Sequence, residues 1–96
     1  MFNKLKQFND LRKQAADLKN NLAQETVTGE SLGGKIKITM NGNQEIQEVF
    51  IDQSLLSSEQ QEDLQTGVKE AMSKAIKEVQ MLMARKIQAG DIQLPL

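Results

Sequence analysis

Gly29-Glu30-Ser31-Leu32-Gly33-Gly34-Lys35 fits GxxxxGK, the spacing with which a glycine loop cradles phosphates and its lysine reaches them. That chemistry needs Ser or Thr next, for magnesium, and a following helix whose N-terminus meets the phosphates. Here Ile36 comes next, and the stretch after it reads as a strand. The pattern is a glycine turn, not a nucleotide site. The carboxylate pairs Glu45/Glu48 and Glu62/Asp63 have the residue types for acid–base work. Nothing around them suggests the burial that would shift a pKa, so they read as solvated surface. The chain has no His and no Cys. That removes the commonest general base, the commonest transition-metal ligand and every disulfide or thiolate site. Met72, Met81 and Met83 read as core filling or exposed helix residues rather than a cofactor box. The expectation is a protein that is not an enzyme and carries no cofactor and no metal.

What remains is charge, and it is segregated. The net of −1 over 96 residues conceals three zones. Lys4, Lys6, Arg12, Lys13 and Lys19 oppose only Asp10 and Asp17 in residues 1–24, a net of +3. Residues 25–63 carry eight acids against Lys35 and Lys37, a net of −6, and residues 64–96 return to +2. A polyanion can meet the two ends of the chain while the middle repels it. Lys74, Lys77 and Arg85 fall on one helix face, opposite the apolar band, with Lys86 beside them. With three Phe and no Trp or Tyr, stacking on single strands has few carriers, and phosphate contact on duplex DNA is the compatible mode. The competing reading is a solvated helix face that binds nothing.

The elements that position these residues follow from periodicity. In a first helix over residues 1–25, Phe8, Leu11, Ala15, Leu18 and Leu22 keep a 3-4-3-4 spacing suited to packing on another helix. Residues 26–52 read as three antiparallel strands, Thr26–Ser31, Lys35–Met40 and Gln44–Ile51, with a turn at Leu32–Gly34. Asn41-Gly42 is the preferred pair for a tight type I′ hairpin. Val49 and Ile51 share one face of the third strand. Ile46 and Phe50 have the opposite parity, so either a bulge re-aims Ile46 or it joins Phe50 outside.

Asp52-Gln53-Ser54 is a turn, and Leu55-Leu56 is expected to pack inward. A second helix over residues 57–89 opens with Ser57 or Ser58 as cap and Gln60 or Gln61 closing a capping box, and ends at Gly90. Its apolar residues, from Leu64 to Ile87, cover about 160°, enough for two surfaces. Residues 90–96 form a short tail with Pro95. The class is α+β, in a single domain spanning residues 1–96. No apolar run approaches a membrane span, and the chain is expected in the cytoplasm.

The helical runs measure about 35 and 48 Å, whereas a strand of about seven residues reaches only about 23 Å. Apolar helix surface must overhang the sheet, and a second copy of the chain is the economical cover. The seam is expected to include Phe8, Leu11, Leu18, Val79, Leu82 and Met83. If the first helix folds back along the second, Lys4 and Lys6 lie near Arg85 and Lys86 at one tip, and a dimer presents two basic jaws. The expected phosphate contacts are Lys4, Lys6, Arg12, Lys13, Lys74, Lys77, Arg85 and Lys86.

Val27-Thr28-Gly29-Glu30-Ser31, the strand ending at Asn41-Gly42, Ile51-Asp52 with Ser54-Leu55-Leu56, and the terminal Gln93-Leu94-Pro95 resemble the YbaB/EbfC family of bacterial nucleoid-associated proteins. The resemblance covers nearly the whole chain. It departs at Gln53, where the family usually has Pro, and in its directly charged opening. It implies a homodimer with helices layered between two outer sheets and arms projecting like tweezers. It also implies duplex DNA as partner, a nucleoid location, a role in nucleoid organisation or gene regulation, and no membrane or small-molecule substrate. The alternative is a dimeric protein-interaction scaffold, docking through an acidic sheet bearing Phe50 or through Ile92–Leu96.

Overall fold

A computed structural model describes residues 2–91, with side chains from residue 4 onward. The order is α1 (Phe2–Ala23), β1 (Thr26–Ser31), β2 (Ile36–Asn41), β3 (Ile46–Ile51) and α2 (Gln61–Gln88). One 3-10 turn, Leu32–Gly34, joins β1 to β2, and two more, Gln53–Leu55 and Ser58–Gln60, lead into α2. The α+β order expected from the sequence is the one the chain forms. The strands make an antiparallel meander in the order β1-β2-β3. The tail beyond Asp91 and the Phe2 side chain lie outside the described residues.

α2 lies over β1 and β2. Ile36, Ile38 and Met40 of β2 point at it and are buried with Ala71, Ala75, Val79 and Leu55. The seat is close because both partners are small where they cross. Gly67, Ala71 and Ala75 recur every four residues on one side of α2, and Gly29 of β1 lies beneath them. A Cβ at Gly29 would collide with the Ala71 carbonyl oxygen and the Ala75 nitrogen. Ser31, also under the helix, donates its hydroxyl to the Gly67 carbonyl at 2.6 Å.

β3 extends past this cover. Its register skips Gln47, so that Met40 pairs with Ile46 while Thr39 pairs with Glu48. This bulge re-aims Ile46 onto the face of Val49 and Ile51. Ile46 and Val49 nevertheless remain about half exposed, because α2 stops at β2. Phe50 points the other way, opposite Lys37, and is 47% exposed.

Local details depart from the sequence reading in three places. The β2–β3 connection is not a two-residue I′ turn. Asn41 accepts from the Gln44 N–H at 3.0 Å and donates to the Glu45 carbonyl at 3.0 Å, and the left-handed residue is Gln44 (φ 61°). Gly42 is spent on space instead, for a Cβ there would lie 2.8 Å from the Leu22 carbonyl oxygen. Neither Ser57 nor Ser58 caps α2 through its side chain; the helix winds up from the 3-10 turn, with Gln60 at its N-cap. Leu55 is buried as expected, but Leu56 is exposed. The far end matches the expected stop. Gly90 (φ 76°) closes α2 with Gly90 N–H to Ile87 and Asp91 N–H to Lys86, the paired bonds of a Schellman motif.

Candidate nucleic-acid interface

α1 contains neither Gly nor Pro, so nothing interrupts it before Ala23, just ahead of the β-branched run Thr26-Val27-Thr28. It then stands away from the body. Every described side chain from Lys4 to Asp17 is exposed, and the molecule measures 66 × 23 × 17 Å. Among the described residues, only the C-terminal end of the helix is fastened. Leu22 is buried, its carbonyl accepts from the Gly42 N–H at 2.9 Å, and Asn43 Nδ2 donates to the Lys19 carbonyl at 2.9 Å.

The arm has two unlike faces. Leu5, Phe8 and Leu11 are 70%, 58% and 48% exposed, an apolar row with no partner among the described residues. At 100° per residue, Lys6 and Lys13 fall opposite that row together with Asp10 and Asp17, whereas Lys4 and Arg12 fall within it. All four bases are open to solvent. Lys6 and Lys13 are seven residues apart, about 10 Å along the axis.

The bases of α2 divide. Lys77 and Arg85 are exposed on its outer side. Lys74 is exposed too, but it lines a shallow hollow with Glu30, Ser31, Leu32, Gly33 and Gly34. These are the residues of the phosphate-loop pattern, and β2 rather than a helix follows them. The Glu30 carboxylate there, which also reaches Lys37 at 4.0 Å, opposes an anion in that hollow. Lys86 is 9% exposed. Its ammonium lies 3.0 Å from Glu25 Oε1 and donates to Asn21 Oδ1 at 3.0 Å.

That contact fixes the topology of the basic residues. Lys86 meets the last turn of α1, not its tip, so the first helix does not fold back to bring Lys4 and Lys6 beside Arg85 and Lys86. Lys4 precedes Asn21 by about 26 Å of helix. The signal was present in the periodicity. Lys86 lies seven residues after Val79, on the buried side of α2, where a lysine needs a buried partner.

The expected seam residues separate in the same way. Phe8 and Leu11 are exposed, Leu18, Leu82 and Met83 are half-buried, and Val79, at 2% exposure, is already covered by its own chain. Sequence reasoning had not singled out Ile46 and Val49 as an open apolar row. Their exposure depends on where α2 crosses the sheet, which no local pattern fixes.

The structure is a small α+β body with one projecting helix that carries exposed bases. Residues 1–90 match the YbaB/EbfC DNA-binding family. The chain is 32% identical over 93 residues to a nucleoid-associated protein of Moorella thermoacetica, covering 95% of this chain and 89% of that one. It is 34% identical over 97 residues to a nucleoid-associated protein of Beijerinckia indica, covering 99% and 96%. The crystal structure of the uncharacterised protein HP0035 from Helicobacter pylori is similar at a TM-score of 0.67 and 27% identity, covering 90% of this chain and 98% of that one. The chain belongs to the YbaB/EbfC family of nucleoid-associated DNA-binding proteins. That family is not one of enzymes. No helix among the described residues is long and apolar enough to cross a membrane.

Proposed function

We propose that the protein acts in the cytoplasm as a homodimer that binds duplex DNA by phosphate contacts, organising the nucleoid or tuning gene expression there. The observation that carries this reading is α1 itself. It stands free of the body with its bases open and its apolar row bare. A lone helix of this length is marginal in water unless its apolar face is buried. A second copy supplies that cover most simply, over Leu5, Phe8 and Leu11 of the arm and over Ile46 and Val49 of β3. Pairing leaves Lys6 and Lys13 facing outward, and Lys77 and Arg85 on the body add to them. Contacts of this kind carry no base information, so binding is expected on all sequences.

The test is a fluorescence-anisotropy titration of a labelled duplex across a salt series. Saturable binding with a negative slope of log K against log[salt], about 0.9 per phosphate contacted, supports the reading. Absence of binding at low salt refutes it. The exposed Phe50, on a sheet face shared with Glu30 and Glu48, favours the second reading, a dimeric protein-interaction scaffold. On that reading Phe50→Ser abolishes partner capture and leaves DNA untouched.

A further inference from the structure

α1 leaves the body at a root only two residues from β1, and three elements meet there. Gly42 and Asn43 of the hairpin turn hold the carbonyls of Leu22 and Lys19. From the other side α2 delivers Lys86, whose ammonium is shared between Asn21, in the last turn of α1, and Glu25, in the connection to β1. α1 has no basic residue of its own in its last turn. A cation there complements the negative end of the helix dipole, so Lys86 supplies from α2 what α1 lacks. Burying a lysine is costly without such partners, and the only described contacts that offset the cost are those to the arm root.

We propose that Lys86 is a positioning residue, a latch that ties the C-terminal turn of α2 to the root of α1 and so sets the direction in which the arm projects. It rests on the DNA reading only in that the arm is what the DNA meets. Lys86 then serves binding without touching phosphate. The other fastening, through Gly42 and Asn43, is made on the hairpin side of the root. With the latch gone, the arm keeps a hinge there and loses its fixed angle.

Two readouts separate the latch from an ordinary phosphate contact. The first needs no DNA. The chain contains no cysteine, so Asn9→Cys and Thr66→Cys, both at exposed positions, accept spin labels uniquely, and excess unlabelled chain isolates distances within one protomer. The latch predicts a narrow distance distribution in the parent, preserved in Lys86→Arg and broadened in Lys86→Met and Glu25→Gln. Unchanged width in both broadening variants overturns the proposal. Glu25 is half exposed, so Glu25→Gln is the mild variant should Lys86→Met fold poorly.

The second readout is a sign. Glu25→Gln removes an anion and frees a lysine, so a Lys86 that contacts phosphate makes this variant bind duplex more tightly. A latch makes it bind more weakly, by about tenfold if the competent arm direction falls to about a tenth of the population. Tighter binding overturns the positioning role. Absence of DNA binding by the parent refutes the proposed function instead, and the distance measurement still decides the latch.

Discussion

Gly29→Ala tests the seat of α2 on the sheet, on which the rest of the body depends. The added methyl would fall on the backbone of Ala71 and Ala75, 2.9 Å from the Ala75 Cα and closer to two polar backbone atoms. Backbone cannot rotate aside as a side chain can. α2 must lift by about 1 Å, and a gap of that size forfeits about a quarter to a half of each contact across it. The contacts at stake are those of Ile36, Ile38, Met40 and Val79, all 2% exposed or less. The cost should reach the upper end of overpacking penalties, about 3 kcal/mol. Gly33→Ala is the control. Gly33 has φ 66° and nothing within 4 Å of its added Cβ, so it loses only about 1 kcal/mol for a left-handed alanine. For a chain of this size each kcal/mol moves Tm by about 4–8 °C, placing Gly29→Ala about 12 °C or more below the parent. Thermal unfolding by circular dichroism at one fixed chain concentration measures both, since assembly makes Tm concentration-dependent. A Gly29→Ala protein as stable as Gly33→Ala would refute the close-seat argument.

Other consequences are accessible to simple assays. Lys6→Gln with Lys13→Gln should flatten the salt dependence of duplex binding by about 0.9 for each phosphate contact removed, without moving Tm; an unchanged slope would take the arm out of the DNA interface. Leu11→Glu places a carboxylate in the bare row of α1, and light scattering should show a shift from dimer towards monomer. Ser54 hydrogen-bonds Asp52, by side chain and then backbone N–H, and holds its carboxyl below the ordinary value of 3.8, with Lys35 adding a smaller pull. A depressed folded pKa contributes stability that is present above 3.8 and lost as pH falls through the folded value. The stability gap between the parent and Asp52→Asn, measured by urea titration, should therefore shrink as pH is lowered into that range.

The elements were legible where a local rule decided them. Thr26–Ser31 and Leu32–Gly34 stand as read, because β-branched residues and paired glycines mark a strand and its turn. Gly90 stops α2 by a conformational requirement that sequence displays directly. The failures are places where a residue serves a distant neighbour. Gly42 looked like a turn glycine, but its small size is needed against Leu22, and Gln44 takes the left-handed position. Lys86 looked like surface charge, but Asn21 and Glu25 are far from it in sequence and close only in the fold. The direction of α1 was the largest step beyond the pattern. A 3-4-3-4 stripe states that a helix packs on something, without stating whether the partner is its own chain.

Net charge is a poor guide to this chain's affinity for a polyanion, because charge and distance act together. A pI near 5.4 argues against DNA if the charges are averaged over the surface. At physiological salt, however, exposed charges separated by more than about 8 Å are largely screened from one another. Lys13 stands about 18 Å of helix ahead of Glu25, and Lys4 about 30 Å. The acids of residues 25–63 therefore cannot cancel the field at the arm, though they do oppose Lys35, Lys37 and Lys74 on the body, where Glu30 lies close by. Projection does part of what a basic composition does elsewhere: it presents Lys4, Lys6, Arg12 and Lys13 outside the reach of the carboxylates of residues 25–63, with Asp10 and Asp17 the acids beside them. It also follows that deleting a turn of α1 between Lys13 and Glu25, with every base ahead of it kept, should harm binding, since the deletion brings those bases back towards Glu25.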